Sequence, residues 1–518
     1  MAALPNIIMF SPLPPRKNGI ADYCWELLGP LSRVTNCTVV VDDGTLRAEA
    51  PTGVLVLEAT EYCGRAAAFA PALHVYQMGN NRDHVYMLPF VARKPGLLVL
   101  HDPTLHHLLE CATLGDVESY CQALEAEYAA PGHVLANQFR QHRLRDTRMF
   151  FDLPMLGGLV GPARGVIVHS RYAAMKVLAR VPEAVVHVVP HLFRPVIRGR
   201  GSPRAATRAR LGLAEHHLVL LSMGFVTRAK RIEDVLSALA QVRQQMPPFH
   251  YIIAGEWRPE EVDLPTLVTR LGLQDRVTVL GYVTDEEFSA LLGAADLVVN
   301  LRHPIGGETS GTVIRALGTG ACAVVVDRGA FAEIPDDAAV KLRWGADIRT
   351  RLAKELLALA REPARRAQIG KAAAAWIRSH NSPERTVAGY LEAIRQTAIT
   401  PAPKMRSTAQ WEIPPQCELT RLIRAVDTKP ERLPLWFRGG IIPGSTAPCR
   451  VLLLGGSADD AELLARIGHL QPAMGEVSTA VLAEIAPRTL DLVLLVAAMD
   501  ELPDDAKPLL QRLNRILG

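Results

Sequence analysis

The feature that most constrains this chain is a repeated unit: a short apolar run without polar alternation, followed by a stretch of helical period. In the first 195 residues the runs are NIIMF, CTVVV, TGVLVLE, LHVYQM, GLLVLHD, GVIVHS and VVHVVPH. A strand with one wet face alternates apolar and polar residues, and these runs do not. They are expected to be buried on both faces, as strands of a parallel sheet covered by helices are. A second series, HLVLLSMG, FHYIIAGE, RVTVLGYV, ADLVVNL and CAVVVD, follows the basic stretch IRGRGSPRAATRAR. Its members are trailed by helix-like segments such as KRIEDVLSALAQVRQQM. Two doubly wound α/β sheets in tandem are implied. The arginines of the connecting stretch read as an exposed linker solvated by its own charge.

At 518 residues the chain is too long for one core. Its first α/β unit is assigned to residues 1–197 and its second to 205–379. The segment AAAAWIRSHNSPERTVAGYLEAIRQTA reads as two helices broken at Asn381-Ser382-Pro383. Residues 398–416, containing TPAPKMRSTAQWEIPP, are Pro-rich and read as a linker. Residues 417–518 carry two clear strands, RVLLLGG and LDLVLLVAAM, with helical segments between and after them, a third and smaller α/β unit.

Composition narrows the function classes. With 49% hydrophobic and 21% charged residues the chain is globular rather than disordered. Its 57 Lys and Arg against 53 Asp and Glu call for no nucleic-acid partner. The 8 cysteines form no C-x-x-C pair, no His cluster stands at zinc-ligand spacing, and a reducing compartment is expected. MAALPNIIMFSPLPP lacks the basic start of a signal peptide, and no apolar run is long enough to span a bilayer. The expected location is cytoplasmic, with peripheral contact at the inner face of a membrane left open.

Ligands of open α/β sheets bind outside the carboxyl ends of the strands, so the turns there carry the chemistry. In SPLPPRKNGIADY, Gly19 lets backbone approach a ligand and a helix then begins, whose amides can hold an anion. An ordinary strand-to-helix turn explains that stretch equally well. In GFVTRAKRIED, Lys230, flanked by Arg228 and Arg231, stands where a cation can meet a diphosphate, although a solvated basic turn has the same look. In LRHPIGGETSGTVIRALGTG, Gly306, Gly307 and Gly311 leave amides uncovered, and Ser310 and Thr312 can cap the helix that carries Arg315. Glu308 is the anomaly, because phosphate repels a carboxylate; it fits better as an acceptor for sugar hydroxyls. A nucleoside diphosphate carrying a sugar satisfies all three turns together.

Over residues 5–396 these stretches, with VLHDPTLHHLL, VIVHSRYAAMKVL, VVPH, YIIAGE and VTVLGYVTDEEFSALLGAADLVVNL in the same order, resemble the retaining GT-B glycosyltransferases, in particular glycosyltransferase family 4. The resemblance implies an α/β fold of the GT-B class: two Rossmann-like domains facing across a cleft, with the helix at 380–397 crossing back to the first. It places Gly19 against the donor phosphates and Lys230 at the diphosphate-binding lysine. Gly281, Tyr282 and Val283 fall near the base, and Gly307, Glu308, Thr309, Ser310, Gly311 and Thr312 over the diphosphate and sugar. His101 and Asp102 fall on the acceptor side close to the sugar, and Asn80 and His84 along the acceptor cleft. Lys230, Glu308, His101 and Asp102 are the expected catalytic set.

Two departures stand out. The family's Glu-x(7)-Glu signature falls on Gly307 and Arg315, with Glu308 displaced by one residue. The arginine expected just after the glycine of the diphosphate strand is Phe225, with Arg228 near enough to substitute. The implied activity is transfer of a sugar from a UDP- or GDP-sugar to a glycan, lipid or other acceptor with retention. No metal and no further cofactor is required by it, since no Asp-x-Asp follows a strand suited to a nucleotide. An epimerase or phosphorylase on the same shell, or a non-catalytic GT-B scaffold, are the alternatives. The C-terminal unit resembles a reduced class I methyltransferase fold with a degenerate glycine loop. It reads as a vestigial Rossmann-like module used for interaction, with S-adenosylmethionine not expected.

Overall fold

The computed structural model describes residues 5–44, 50–114, 116–142, 148–193, 203–259 and 261–401, and three strands at 449–454, 470–475 and 492–495. The linker expected at 398–416 and most of the C-terminal unit lie outside the described residues.

The doubly apolar runs form two all-parallel sheets. The first contains β1 (Asn6–Phe10), β2 (Cys37–Val41), β3 (Leu55–Glu58), β4 (Ala72–Met78), β5 (Leu97–Leu100), β6 (Gly165–Val168) and β7 (Val186–Val188), in the order β3-β2-β1-β4-β5-β6-β7. The second contains β8 (Leu218–Met223), β9 (Phe249–Ala254), β10 (Val277–Gly281), β11 (Leu297–Asn300), β12 (Cys322–Val326) and β13 (Val340–Leu342), in the order β10-β9-β8-β11-β12-β13. Every run named from the sequence in these two series holds a strand. The lack of alternation has its reason in the packing. In β8, Leu218 and Leu220 enter one hydrophobic core while Val219, Leu221 and Met223 enter another on the opposite face. In β1, Ile7 and Met9 likewise face one core and Ile8 and Phe10 the other.

Two strands escape a reading of apolar runs. β13 has three residues with Lys341 at its centre. In the C-terminal unit, β14 (Cys449–Leu454) and β16 (Leu492–Leu495) are the strands read from sequence, and β15 (Leu470–Gly475) is an addition. Its sequence LQPAMG has a proline and no β-branched residue. These three are parallel in the order β15-β14-β16.

The basic stretch before the second domain is not simply a solvated linker. From Pro203 it forms a helix to Arg210. Arg208 is fully buried, donating to the carbonyls of Ala294, Glu215 and His217 and to the Asp296 carboxylate at 2.7 Å. Arg204 joins the same carboxylate at 2.5 Å. Asp296 also accepts from the Val219 amide, so the arginines tie this helix to the edge of β8. A planar guanidinium with five donors can be buried when each is satisfied, which composition alone does not reveal.

In each sheet the chain winds outward in both directions from a central pair, β1 with β4 and β8 with β11. Loops leaving such a pair diverge and open a crevice at the strands' carboxyl ends. The two domains meet through these ends, and the C-terminal helices join them from behind. The helix Pro363–His380 sends Ile369, Ala373 and Ile377 into the second domain's core. The chain then turns at Asn381, where Ser382 caps the next helix by accepting from the Arg385 amide. That helix, Pro383–Ile399, sends Val387, Tyr390, Ala393 and Ile394 into the first domain's core. Its Gly389 faces Val189, whose methyl carbons would lie 2.8 and 3.0 Å from an added β-carbon. Gly389→Val therefore overpacks this seam and is expected to cost roughly 1–3 kcal/mol. A lowered thermal midpoint with faster proteolysis between residues 380 and 400 is the readout.

Candidate active site between the two sheets

The floor of the second domain is built where β8 and β11 separate. A small cavity there is lined by Gly224, Lys230, Asn300 and Leu301 among others. Gly224 has φ +97°, and a β-carbon on it would stand 3.3 Å from Lys230 Nζ and 3.9 Å from Thr312 Oγ1. Glycine is required here because lysine and threonine close over the bare backbone. Burial pushes the Lys230 pKa well below the usual ammonium value, and the charge of Arg302 adds to the shift.

Arg302 leaves the end of β11 and is held on three sides. Its guanidinium pairs with Glu308, donates to Ser310 Oγ at 3.1 Å and reaches Asn300 Oδ1 at 3.3 Å. Ser310 in turn caps the helix Gly311–Gly318. Between Glu308 and Ser310, the Thr309 hydroxyl is buried without a hydrogen-bond partner.

Facing this floor are the carboxyl ends of the first sheet. Asn18 caps the helix Gly19–Ser32 by accepting from the Ile20 amide. Its amide group donates to Asp83 at 2.9 Å. No protein atom would lie within 4 Å of a β-carbon at Gly19, so that turn is open. After β5 come His101 and Asp102. Asp102 accepts from the Asn80 amide at 2.9 Å, and Asn80 Oδ1 accepts from the Leu108 amide. Burial raises the Asp102 pKa, while the Asn80 bond and the opposing Arg302 charge lower it. This coupling brings the end of β5 against the Arg302 cluster.

Behind Asp102 lies a group of neutral imidazoles. His101, His169 and His191 pack around Tyr23, with ring centroids 4.8, 5.3 and 4.7 Å from it. Each tautomer is fixed by a carbonyl oxygen, which can only accept. His101 donates through Nε2 to Gln77 Oε1, His169 through Nδ1 to the Val189 carbonyl and His191 through Nδ1 to the Leu192 carbonyl. The remaining ring nitrogen of each is a lone-pair acceptor, and that of His169 is buried without a partner. His191 sits 3.6 Å from where a β-carbon on Gly311 would stand, so it touches the start of the second domain's helix.

The two domains grip one another through short segments. Thr104 Oγ1 and Lys176 Nζ donate to the Gly306 carbonyl at 2.8 and 2.7 Å. Gly307, at φ +104°, would drive a β-carbon to within 2.8 Å of Pro103 and 3.0 Å of Tyr172. Glu333 accepts from the Arg171 and Tyr172 amides at the start of a first-domain helix. At the other end of the cleft, Lys17 Nζ lies 4.1 Å above the Tyr282 ring.

The structure thus gathers most of the residues named from sequence. Lys230, Glu308, Thr309, Ser310, Gly311 and Thr312 share one floor, with His101 and Asp102 opposite. Gly19 and Tyr282 approach through Lys17. Gly281 has φ +68°, gives its carbonyl to the Gly255 amide at 2.7 Å and has an open face, and Val283 packs into the domain core beside it. Several residues are placed differently from the sequence reading. Gly307 must also stay bare to admit Pro103 and Tyr172, a reason the sequence did not show. Arg228 bonds the Glu261 carboxylate through its amide and the Glu261 carbonyl through its guanidinium, so its side chain is engaged by Glu261. His84 is fully buried, bound to the Gln77 carbonyl and beside Asn18, and supports the glycine turn instead of lining the cleft. Arg315 pairs with Asp285 at 2.5 Å and lies over the Phe288 ring. Sequence reasoning passed over Arg302, His169 and His191; each stands within two residues of a strand end or ends the VVPH stretch, and that position was the available signal.

Residues 203–376 match the family model described as glycosyl transferases group 1. The match falls within the second domain. The structure superposes on Anabaena HepE, solved in complex with UDP and glucose, over 76% of this chain and 99% of that one, at TM-score 0.53 and 17% identity. It does so on the sucrose-phosphate synthase of Thermosynechococcus elongatus over 76% and 98%, at TM-score 0.55 and 17% identity. The fold is GT-B. Among curated relatives, the D-inositol 3-phosphate glycosyltransferase of Salinispora arenicola is 29% identical over 231 residues, which is 42% of this chain and 50% of the relative. The α-D-kanosaminyltransferase of Streptomyces kanamyceticus is 29% identical over 127 residues, 24% of this chain and 32% of the relative. The alignments thus span half of these relatives or less. Among the described residues no cluster of His, Cys, Asp and Glu is arranged to hold a metal, and no helix is long and apolar enough to cross a membrane.

Two predictions follow from the seam between the domains. Burial depresses His169 to about 4 and His191 to about 3 from an ordinary value of 6.5. A base depressed in the folded state stabilises fully at neutral pH and loses that contribution as pH falls below its unfolded value. From pH 7 to 5, His169 alone is expected to remove on the order of 2 kcal/mol. His169→Phe should flatten the pH dependence of the thermal midpoint over that range. Gly307→Ala should weaken the grip between the domains by roughly 1–3 kcal/mol through strain and overlap. Small-angle scattering should then report a larger radius of gyration.

Proposed function

We propose that this chain is a retaining, metal-independent glycosyltransferase of family 4 that uses a UDP- or GDP-sugar and a hydroxyl-bearing acceptor. The observation that carries this reading is the meeting of Lys230 and Arg302, two cations at the switch point of the group 1 domain, with Glu308 beside them and His101 and Asp102 opposite. A diphosphate has its natural place on the cations and on the amides at the start of Gly311–Gly318, since desolvated cations and helix amides both favour negative charge. The nucleoside would extend toward Gly281, Tyr282 and Val283, and the sugar toward Glu308 and His101.

In the reaction the bond from the anomeric carbon to the β-phosphate oxygen breaks, and its electron pair stays on that oxygen. Lys230, Arg302 and the helix amides stabilise the charge that appears there. The acceptor hydroxyl forms the new bond from the same face and passes its proton to the departing phosphate oxygen. No protein nucleophile is required, so positioning and leaving-group electrostatics supply the rate. Neutral His101 suits this arrangement: burial and the neighbouring imidazoles hold it well below its usual pKa. It orients hydroxyls without adding a charge that would compete for the phosphate.

The test is a screen of nucleotide sugars by nucleoside diphosphate release, followed by mass spectrometry and anomeric NMR of the product. Release is expected to persist in the presence of a chelator. Lys230→Ala should lower kcat/KM roughly 10²- to 10³-fold, as loss of a preorganised charge-stabilising group does. Full activity in that variant, or inversion in the product, would overturn the assignment.

A further inference from the structure

Arg302 is not accounted for by strand chemistry or by packing alone. It stands two residues past β11, next to Leu301 and bonded to Asn300, which line the cavity together with Lys230, and its charge reaches both Lys230 and Asp102. Its side chain is 14% exposed and that of Glu308 is 22% exposed, so the pair is largely shielded from water but open at one side. Two features nearby are incomplete. Lys230 has its neighbouring cation Arg228 drawn off to Glu261. The Thr309 hydroxyl, adjacent to Glu308, is buried without a partner.

We propose that Arg302 and Glu308 form an exchangeable pair: a nucleoside diphosphate draws Arg302 away from Glu308, and the released carboxylate then takes the hydroxyls of the sugar. The inference rests on the transferase reading above and deepens it. The two halves of the exchange have the same sign of benefit. A diphosphate offers Arg302 more negative charge than one carboxylate does, and bidentate geometry suits a guanidinium. A carboxylate freed from its cation has two acceptor oxygens and no repulsive partner except the phosphate, which Arg302 and Lys230 by then neutralise. Without the exchange, Glu308 would repel the donor. With it, the carboxylate becomes available only when a diphosphate occupies the cations, so sugar recognition is tied to nucleotide binding. The second cation at the diphosphate thereby comes from the end of β11, where Phe225 on the β8 turn has no charge to give.

Isothermal titration of the full chain with UDP, GDP and ADP separates the possibilities, with nucleotide-sugar turnover measured in parallel. For the nucleotide that the unaltered protein binds, Arg302→Gln should raise Kd roughly ten- to a hundredfold, the loss of a charge-assisted contact. Arg302→Lys should fall between. Glu308→Gln should lower Kd several-fold while turnover falls, and a gain in affinity cannot come from a failure to fold. Unchanged binding in Arg302→Gln, or unchanged or weaker binding in Glu308→Gln, overturns the exchange while leaving the transferase reading intact. An unaltered protein that binds none of the three nucleotides overturns both.

Discussion

The contact on which this site depends is the grip of the first domain on one carbonyl of the second. Thr104 and Lys176 both donate to Gly306, and Pro103 and Tyr172 fill the space that Gly307 leaves. These residues directly follow His101 and Asp102 in the chain or lie on the helix after β6, and they hold residues directly preceding Glu308. The chemistry on either side is therefore brought into register by a handful of neighbours rather than by a broad interface. A direct consequence is that the conformation of Gly307 matters to both domains. Its positive φ turns the chain so that its carboxyl-terminal neighbour, Glu308, faces Arg302 while its amino-terminal neighbour, Gly306, presents a carbonyl to the other domain.

The same economy shows in how charge is handled. Three imidazoles stay neutral because burial and their mutual proximity oppose protonation, outweighing the carbonyl bonds of His169 and His191, which favour it. Two basic side chains remain in the floor, and burial pushes Lys230 well below its usual value and Arg302 down to about 10. At the Arg302 cluster the first domain thus contributes acceptors and one carboxylate, Asp102, and the second contributes the basic groups together with Glu308. Such a division favours an anion on the second domain and hydroxyls between the two, and it leaves little room for a cation brought by a ligand.

How much of this was legible in the sequence depended on whether the signal was local. The sheets were legible because short unbroken apolar runs, recurring between helical segments, mark parallel strands covered on both sides; β13 and β15 were lost because three residues around Lys341 and a proline-containing LQPAMG lack that pattern. Lys230, Glu308 and His101 were legible because ligands gather at the ends of strands and these residues stand there. Arg302 stands there too, and was missed because an arginine two residues before a proline looks like an ordinary loop residue until its partners are known. The arginines at 204 and 208 show the reverse error. Charge suggests solvent, but Asp296 and a set of helix-end carbonyls, distant in sequence, make burial the better state.

Arg315 was the residue whose charge disagreed most with the site around it, and the structure supplies a local reason for it. Its guanidinium is bound to Asp285 and Ser289 and rests on Phe288, so it belongs to the packing of two second-domain helices. From the first domain Asp22 comes close enough for Asp285 and Arg315 to shift it. Partial burial and Asp285 raise it to about 6, with Arg315 opposing. At the Tyr282 end of the cleft two carboxylates, Asp22 and Asp285, share Arg315, with Lys17 over the Tyr282 ring, whereas at the other end Glu308 is paired with Arg302 beside Lys230, with Asp102 opposite. On the proposed reading, the phosphates of a donor settle where Arg302, Lys230 and the amides of Gly311–Gly318 lie together, and Arg315, already held by Asp285, is left to packing.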